Sequence, residues 1–277
     1  MFAPLVLAAF IACTGETPVT PPEETPPVVT PEATPPAPPP FDPSATASEN
    51  IALVPSVVET QSALEAAGIT TKLADLIADR AFDVNNENKD NIAVRSGVVI
   101  ADMLLTVKTS PKDKQLEQLE KIKVGLTKLD GGPDIQTTVT DIQERVRNDA
   151  VSKEDLLKEL DELSGAVIPE LEFNGQQRVV PLIQAGSWLE GANLVAKAVK
   201  AQAKPDAADA LLKQPAVVDY FIKYVKNEGQ DKAPAAVTQK LEESLNTLKG
   251  IAEKKEPLTL ADIDTVIKVT DDVLALL

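Results

Sequence analysis

The stretch VVPLIQAGSWLEGANLVAKAV, residues 179–199, is apolar around almost its whole helical circumference, and RSGVVIADMLL, residues 95–105, has the same character. A helix that is hydrophobic on every side is normally buried inside a protein. Glycine inside a helix costs about 1 kcal/mol relative to alanine, unless a second backbone must approach closely at that position. Gly97, Gly186 and Gly191 therefore predict that these segments are the central helices and that they cross at their glycines.

The segments around this pair are amphipathic, with apolar residues three or four positions apart and helix-boundary residues between them. Gly68 is predicted to cap a helix C-terminus, and Ser110 to cap the next N-terminus ahead of Pro111. Ser152 and Thr259 are predicted to open two later helices. No segment alternates with the period of a β-strand. The sequence thus predicts an all-α fold, a compact bundle of roughly ten helices over residues 45–277.

Composition agrees with a helical core and limits the chemistry that the chain can perform. Aromatic residues make up only 3% of the chain, which has no histidine and a single cysteine. Catalysis by Ser-His-Asp or Cys-His, zinc sites of His and Cys, and di-iron sites with Glu-x-x-His are therefore excluded. A net charge of −16 argues against nucleic acid as a partner, because nucleic acids bind basic surfaces. We predict no catalytic residue, no metal and no cofactor.

The N-terminus resembles that of a bacterial lipoprotein. Residues 2–12 form an apolar run of signal-peptide length, too short to span a bilayer as a helix. The run ends in FIAC, similar to a lipobox, so residues 1–12 are the predicted signal peptide and Cys13 the predicted lipidation site. Twelve of the 22 prolines follow by residue 44, which predicts an extended or disordered linker over residues 13–44. A free apolar tail with an incidental cysteine is the alternative.

Two motifs resemble a known family. NIAVRSGVVIADM, residues 91–103, and LIQAGSWLEGANLVAKA, residues 182–198, are similar to a GVYxADL-like and an AGGWIEG-like helix. These helices occur in a family of bacterial all-helical envelope lipoproteins that has no assigned activity. Val99 and Ser187 stand where that family carries tyrosine and glycine. The resemblance implies export and a helical fold, and it implies no reaction.

Four residues within the two apolar segments are candidates for a site: Arg95, Asp102, Trp188 and Glu190. Asp102 lies seven residues after Arg95, two helical turns along nearly the same face. A buried carboxylate requires a partner, and Arg95 or a helix N-terminus can supply it. Two interpretations stay open: a ligand pocket between the central helices, or a buried structural pair beside a core tryptophan.

The stretch DVNNENKDN, residues 83–91, gathers oxygen-bearing side chains but does not fit an EF-hand. Asn88 stands at the glycine position and Val94 at the final glutamate position. The composition predicts a polar loop whose asparagines cap and turn the backbone. An irregular calcium site is the alternative.

Together these features predict a non-enzymatic, lipid-anchored protein of the bacterial cell envelope, at the outer membrane on its periplasmic or surface side. Its acidic helical domain is expected to bind an envelope protein partner, while the N-terminal lipid binds the membrane. The first alternative is a periplasmic binding module for a small apolar or lipid-like ligand. The second is a hydrolase or metal-dependent enzyme that uses carboxylates alone.

Overall fold

A computed structural model describes residues 57–78, 88–228 and 235–276. Within these ranges the chain forms ten α-helices and no strand, so the predicted all-α class is confirmed. The predicted signal peptide, Cys13, the linker and most of the loop over residues 83–91 lie outside the described residues. The helices are α1 (Val57–Ala66), α2 (Lys89–Thr106), α3 (Lys112–Lys128), α4 (Gly132–Arg147), α5 (Lys153–Phe173), α6 (Val180–Ala201), α7 (Ala208–Leu212), α8 (Pro215–Glu228), α9 (Ala235–Ala252) and α10 (Leu260–Leu274).

Helices α2 and α6 form the centre of the fold because neighbouring helices cover them on two sides. Val98 and Leu105 of α2 belong to one hydrophobic cluster, which α1 and α7 to α10 complete. Val99 and Met103 of the same helix belong to a second cluster, which α3, α4 and α5 complete. Coverage on both sides explains why the two central helices are apolar all round, as the sequence predicted.

The two central helices run parallel. Asp90 at the start of α2 accepts hydrogen bonds of 2.5 and 3.0 Å from the guanidinium of Arg178, just before α6. Leu105 near the end of α2 lines the same small pocket as Val195 in the second half of α6. Asp90 and Arg178 are 88 positions apart in the chain. Each residue of α2 therefore lies level with the residue of α6 that is about 88 positions later.

Two glycines allow the central helices to touch backbone to backbone. A Cβ atom on Gly97 would lie 1.9 Å from the carbonyl oxygen of Ile183, and one on Gly186 would lie 2.0 Å from the carbonyl oxygen of Val94. No side chain fits at either position. A Cβ on Gly191 would meet nothing within 4 Å, so the prediction that the helices also cross there is wrong.

Most predicted helix boundaries are confirmed. Gly68 has φ +66° and ends α1, with its N–H donating to the carbonyl of Glu65 at 2.9 Å. The Ser152 hydroxyl accepts from the backbone N–H of Asp155 at 3.1 Å to cap α5, and Thr259 caps α10. The Asn88 side chain caps α2 by accepting from the N–H of Asp90 at 2.9 Å, as predicted for the asparagines of this segment.

The predicted start of α3 is wrong by one residue. The helix begins at Lys112, with Pro111 as its N-cap residue at φ −69° and ψ 155°. The Ser110 hydroxyl does not cap it but donates to the Thr106 hydroxyl, 3.0 Å away. The Thr106 hydroxyl in turn donates to the backbone carbonyl of Asp102 at 2.6 Å. Ser110 therefore belongs to a chain of hydrogen bonds at the C-terminal end of α2.

Candidate functional site

The four candidate residues all lie on the central helix pair, and Trp188 lines a small pocket to which the other three do not contribute. Asp102 is 5% exposed and Glu190 is fully buried, and the parallel register places them at the same level of the pair. Arg95 is half-buried. Arg95, Asp102 and Glu190 each have an interaction partner within the chain. This arrangement favours the structural interpretation of the three charged residues.

Trp188 lies apart from these charges, at the edge of a small pocket. Its indole Nε1 donates to Oε1 of Gln214 at 2.8 Å, and its ring centroid lies 5.4 Å from that of Phe221. The pocket also touches Leu105 and Gly191 and has a volume of about 30 Å³. One water molecule needs roughly 10–15 Å³ measured in this way. The space at Trp188 therefore fits two or three waters rather than a lipid chain.

A buried polar bridge fixes α10 on α6. Asn193 is fully buried, and its amide donates to the Thr270 hydroxyl at 2.8 Å and to the Asp271 carboxylate at 3.0 Å. Lys197, one turn along α6, donates to the same Asp271 oxygen at 3.0 Å. Because hydrogen bonds are directional, this bridge sets the position of α10 more narrowly than apolar packing does. The sequence reasoning missed it, although Asn193 interrupts an apolar run.

The solvent-facing side of α5 carries an unusual set of residues, which we call the α5 outer face: Glu162, Gly165, Ala166, Pro169 and Phe173. All five are exposed and recur at three- and four-residue spacing along one side of the helix. Phe173 is 86% exposed. Within the described ranges every other aromatic side chain is buried or half-buried.

The α5 outer face also contains an interruption in the hydrogen-bond ladder of the helix. Pro169 lies inside the helix and has no N–H, so the carbonyl of Gly165 does not receive the usual hydrogen bond from four residues later. Gly165 is exposed, and a Cβ atom there would meet nothing within 4 Å. The surface of α5 is therefore bare of side-chain atoms at Gly165, beside the proline ring.

Negative charge surrounds the α5 outer face. From Asp161 to Phe173 the sequence has four carboxylates and no lysine or arginine. Partial burial raises the pKa of Asp161, and the nearby carboxylates of Glu59 on α1 and Glu162 raise it further. A carboxylate on α1 therefore adds to the negative charge at this end of the α5 outer face.

The sequence reasoning did not predict the α5 outer face. After the predicted N-cap Ser152, an apolar stripe at helical spacing begins with Leu156, Leu160 and Leu163, and all three are buried. The same spacing continues to Val167 and Leu171, which are also buried, and it leaves Phe173 off the apolar stripe. The position of Phe173 off this stripe indicates, in the sequence alone, that the phenylalanine faces solvent.

Within the described part of the chain, no group of three or more Asp, Glu, His or Cys residues is placed to hold a metal ion. None of the described helices combines the length and hydrophobicity needed to cross a membrane. Comparisons with protein-family models, curated proteins and solved structures give no match.

Proposed function

We propose that the chain is a lipid-anchored protein of the bacterial envelope whose helical domain binds a protein partner through the α5 outer face. The exposure of Phe173, at 86%, is the observation that supports this most directly. Exposed aromatic side chains in a contiguous apolar patch are typical of binding surfaces, and such residues often supply most of the binding energy. The role proposed is binding rather than catalysis.

The surroundings of Phe173 indicate the chemistry of the partner. The carboxylates of Asp161, Glu162 and Glu170 favour a partner with lysine or arginine side chains around an apolar residue. From Glu162 to Phe173 the face is about 17 Å long, from the helical rise of about 1.5 Å per residue. That length accommodates about three turns of a partner helix.

The proposed anchor explains how the domain meets such a partner. Lipidation at Cys13 would hold the chain at the outer membrane, on its periplasmic or surface side, and a proline-rich linker extends by up to about 3.1 Å per residue. The partner is thus expected to be another envelope protein. The resemblance of both central helices to those of envelope lipoproteins supports the same location.

Affinity capture from solubilised envelope fractions tests the proposal. The full-length chain with its native Phe173 should retain a protein whose binding weakens as NaCl is raised, because charge pairs are screened by salt. Phe173→Ala should weaken retention roughly 30-fold, as expected for a binding hot spot worth about 2 kcal/mol.

A matched control separates this site from general surface hydrophobicity. Leu260 is 44% exposed on α10, and Leu260→Ala should leave retention unchanged. Glu162→Lys should weaken binding to a basic partner without altering the fold. Equal retention by wild type and Phe173→Ala would show that the α5 outer face is not the binding site.

A further inference from the structure

The α5 outer face ends at a turn that carries the one Asn–Gly dipeptide of the sequence, Asn174–Gly175. Both residues are exposed. Asn174 is the C-cap residue of α5, and Gly175 follows it in the left-handed region with φ +74°. A Cβ atom on Gly175 would meet nothing within 4 Å, so this side of the turn is open to water.

An asparagine that precedes a glycine can lose its side-chain amide without an enzyme. The backbone nitrogen of Gly175 attacks the side-chain carbonyl carbon of Asn174, a C–N bond forms, and the amide nitrogen leaves as ammonia with the proton of the attacking nitrogen. Water then opens the cyclic imide at either carbonyl, adding OH to the carbon and H to the nitrogen. The products are aspartate and isoaspartate, and no oxidant or reductant takes part. Glycine favours the attack because it has no side chain beside the attacking nitrogen.

Hydrogen bonds restrain both reacting groups of this turn. Asn174 Nδ2 donates to the backbone carbonyl of Glu170 at 2.9 Å and to the Glu170 carboxylate at 3.1 Å. The N–H of Gly175 donates to the carbonyl of Glu172 at 3.0 Å. The attack therefore requires the last turn of α5 to open, as the ends of helices do when they fray.

We propose that Asn174 is a site of spontaneous deamidation, and that the Glu170 carboxylate slows the reaction by holding the Asn174 amide. The product places a carboxylate at the C-terminus of α5, where the helix dipole is also negative, and it removes the donor to Glu170. Isoaspartate also lengthens the main chain by one carbon. Deamidation should therefore loosen the turn that carries Phe173. The modification does not require the partner binding proposed above, so either can fail without the other.

The end of α4 provides a matched control within the chain. Asn148 is also exposed, is the C-cap residue of its helix, and follows a glutamate, Glu144, by four residues. The next residue, Asp149, also lies in the left-handed region, with φ +53°. The backbone of Asn148 has ψ 7°, close to the 10° of Asn174. The main difference between the two turns is therefore the residue that follows the asparagine.

Peptide mapping by mass spectrometry, on the full-length chain incubated under native conditions, measures both sites in one sample. Asn174 should convert to aspartate and isoaspartate while Asn148 keeps its amide. Asp149→Gly should make Asn148 convert as well, because glycine adopts this backbone conformation without strain.

Two variants test the role of Glu170. Glu170→Ala should speed the conversion of Asn174 roughly 3- to 10-fold, the effect expected for one lost hydrogen bond. Glu170→Gln keeps an acceptor oxygen at the same position and should convert at close to the wild-type rate.

Hydrogen exchange tests the loosening of α5. The converted protein carries an additional negative charge and can be separated from the unmodified chain by ion exchange. Its backbone amides over residues 171–173, in the last turn of α5, should exchange faster than in the unmodified chain. The amides over residues 145–147, in the last turn of α4, should not change.

Four results would overturn parts of this proposal. If Asn174 stays intact after a urea-unfolded sample has converted completely, or if Asn148 converts as fast as Asn174, the site is wrong. Equal rates in the wild type and Glu170→Ala would refute the role of Glu170. Unchanged exchange at the end of α5 would refute the loosening.

Discussion

Gly97→Ala places a methyl group at the point where α2 and α6 touch. The new Cβ would start 1.9 Å from the carbonyl oxygen of Ile183 and 2.9 Å from the backbone nitrogen of Ser187. Carbon–oxygen contacts in proteins lie at about 3.3 Å or more, so the two helices must separate by about 1.4 Å. Because the obstructing atoms belong to the backbone of α6, no side-chain rotation can relieve the clash.

The expected cost follows from two opposing terms. Overpacking a core costs about 1–3 kcal/mol, and a clash with rigid backbone belongs at the upper end of that range. Replacing glycine by alanine inside a helix stabilises the helix by about 1 kcal/mol. The net loss in the free energy of unfolding should be about 2 kcal/mol, which lowers the Tm by about 4–8 °C in a domain of this size.

Urea and thermal unfolding of the variant measure this loss, and the chain supplies matched controls. Gly191 in α6 and Gly250 in α9 are also helical glycines, but a Cβ atom on either meets nothing within 4 Å. Alanine at these two positions should stabilise by about 0.5–1 kcal/mol. If Gly97→Ala proves as stable as Gly191→Ala, the close approach of the central helices is refuted.

Three further predictions concern charges and the anchor. The Lys254 ammonium and the backbone N–H of Thr259 lower the pKa of Asp262 to about 2. The stabilisation of the folded state by the charged Asp262 carboxylate is therefore complete above the ordinary pKa of 3.8, and it is lost as the pH falls through about 2. In urea unfolding, Asp262→Asn should therefore cost about 1 kcal/mol at neutral pH and nothing below pH 2, and a loss independent of pH would contradict this. The pKa of Asp161 is raised, so the native state holds the proton of this carboxyl more tightly than the unfolded state does. Once the pH rises through the pKa, the charged Asp161 carboxylate therefore destabilises the native state. Asp161→Asn should raise the urea midpoint at neutral pH, with no difference well below pH 3.8; a lower midpoint would refute the repulsion. Cys13→Ser should move the protein from the membrane to the soluble fraction, and unchanged membrane association would exclude the lipid anchor.

The central helices could be predicted from the sequence because burial on two sides removes polar residues from the whole circumference. Val98 and Val99 are adjacent in the chain yet enter different hydrophobic clusters, and the unbroken apolar run reflects this. The roles of individual glycines could not be predicted in the same way. Gly97 and Gly191 look alike in sequence, and only the relative register of α2 and α6 distinguishes a helix crossing from a pocket wall.

The candidate site was harder to predict because it depends on which helices become neighbours. Asp102 and Glu190 were correctly singled out as unusual polar residues in apolar helices. Glu190 and Trp188 lie on different sides of α6, which the periodicity of a helix buried all round does not reveal. Phe173 was overlooked because a phenylalanine near a core stripe normally belongs to the core.

Site-specific photocrosslinking in intact cells tests the proposed partner binding most directly. The photoreactive residue p-benzoylphenylalanine replaces Phe173 in one strain and Leu260 in another, with Cys13 intact in both. We predict a discrete crosslinked envelope protein from position 173 alone, attached through a segment with lysine or arginine beside an apolar residue. No crosslink at position 173, or the same products at positions 173 and 260, would contradict the proposal that this protein binds its partner through the α5 outer face.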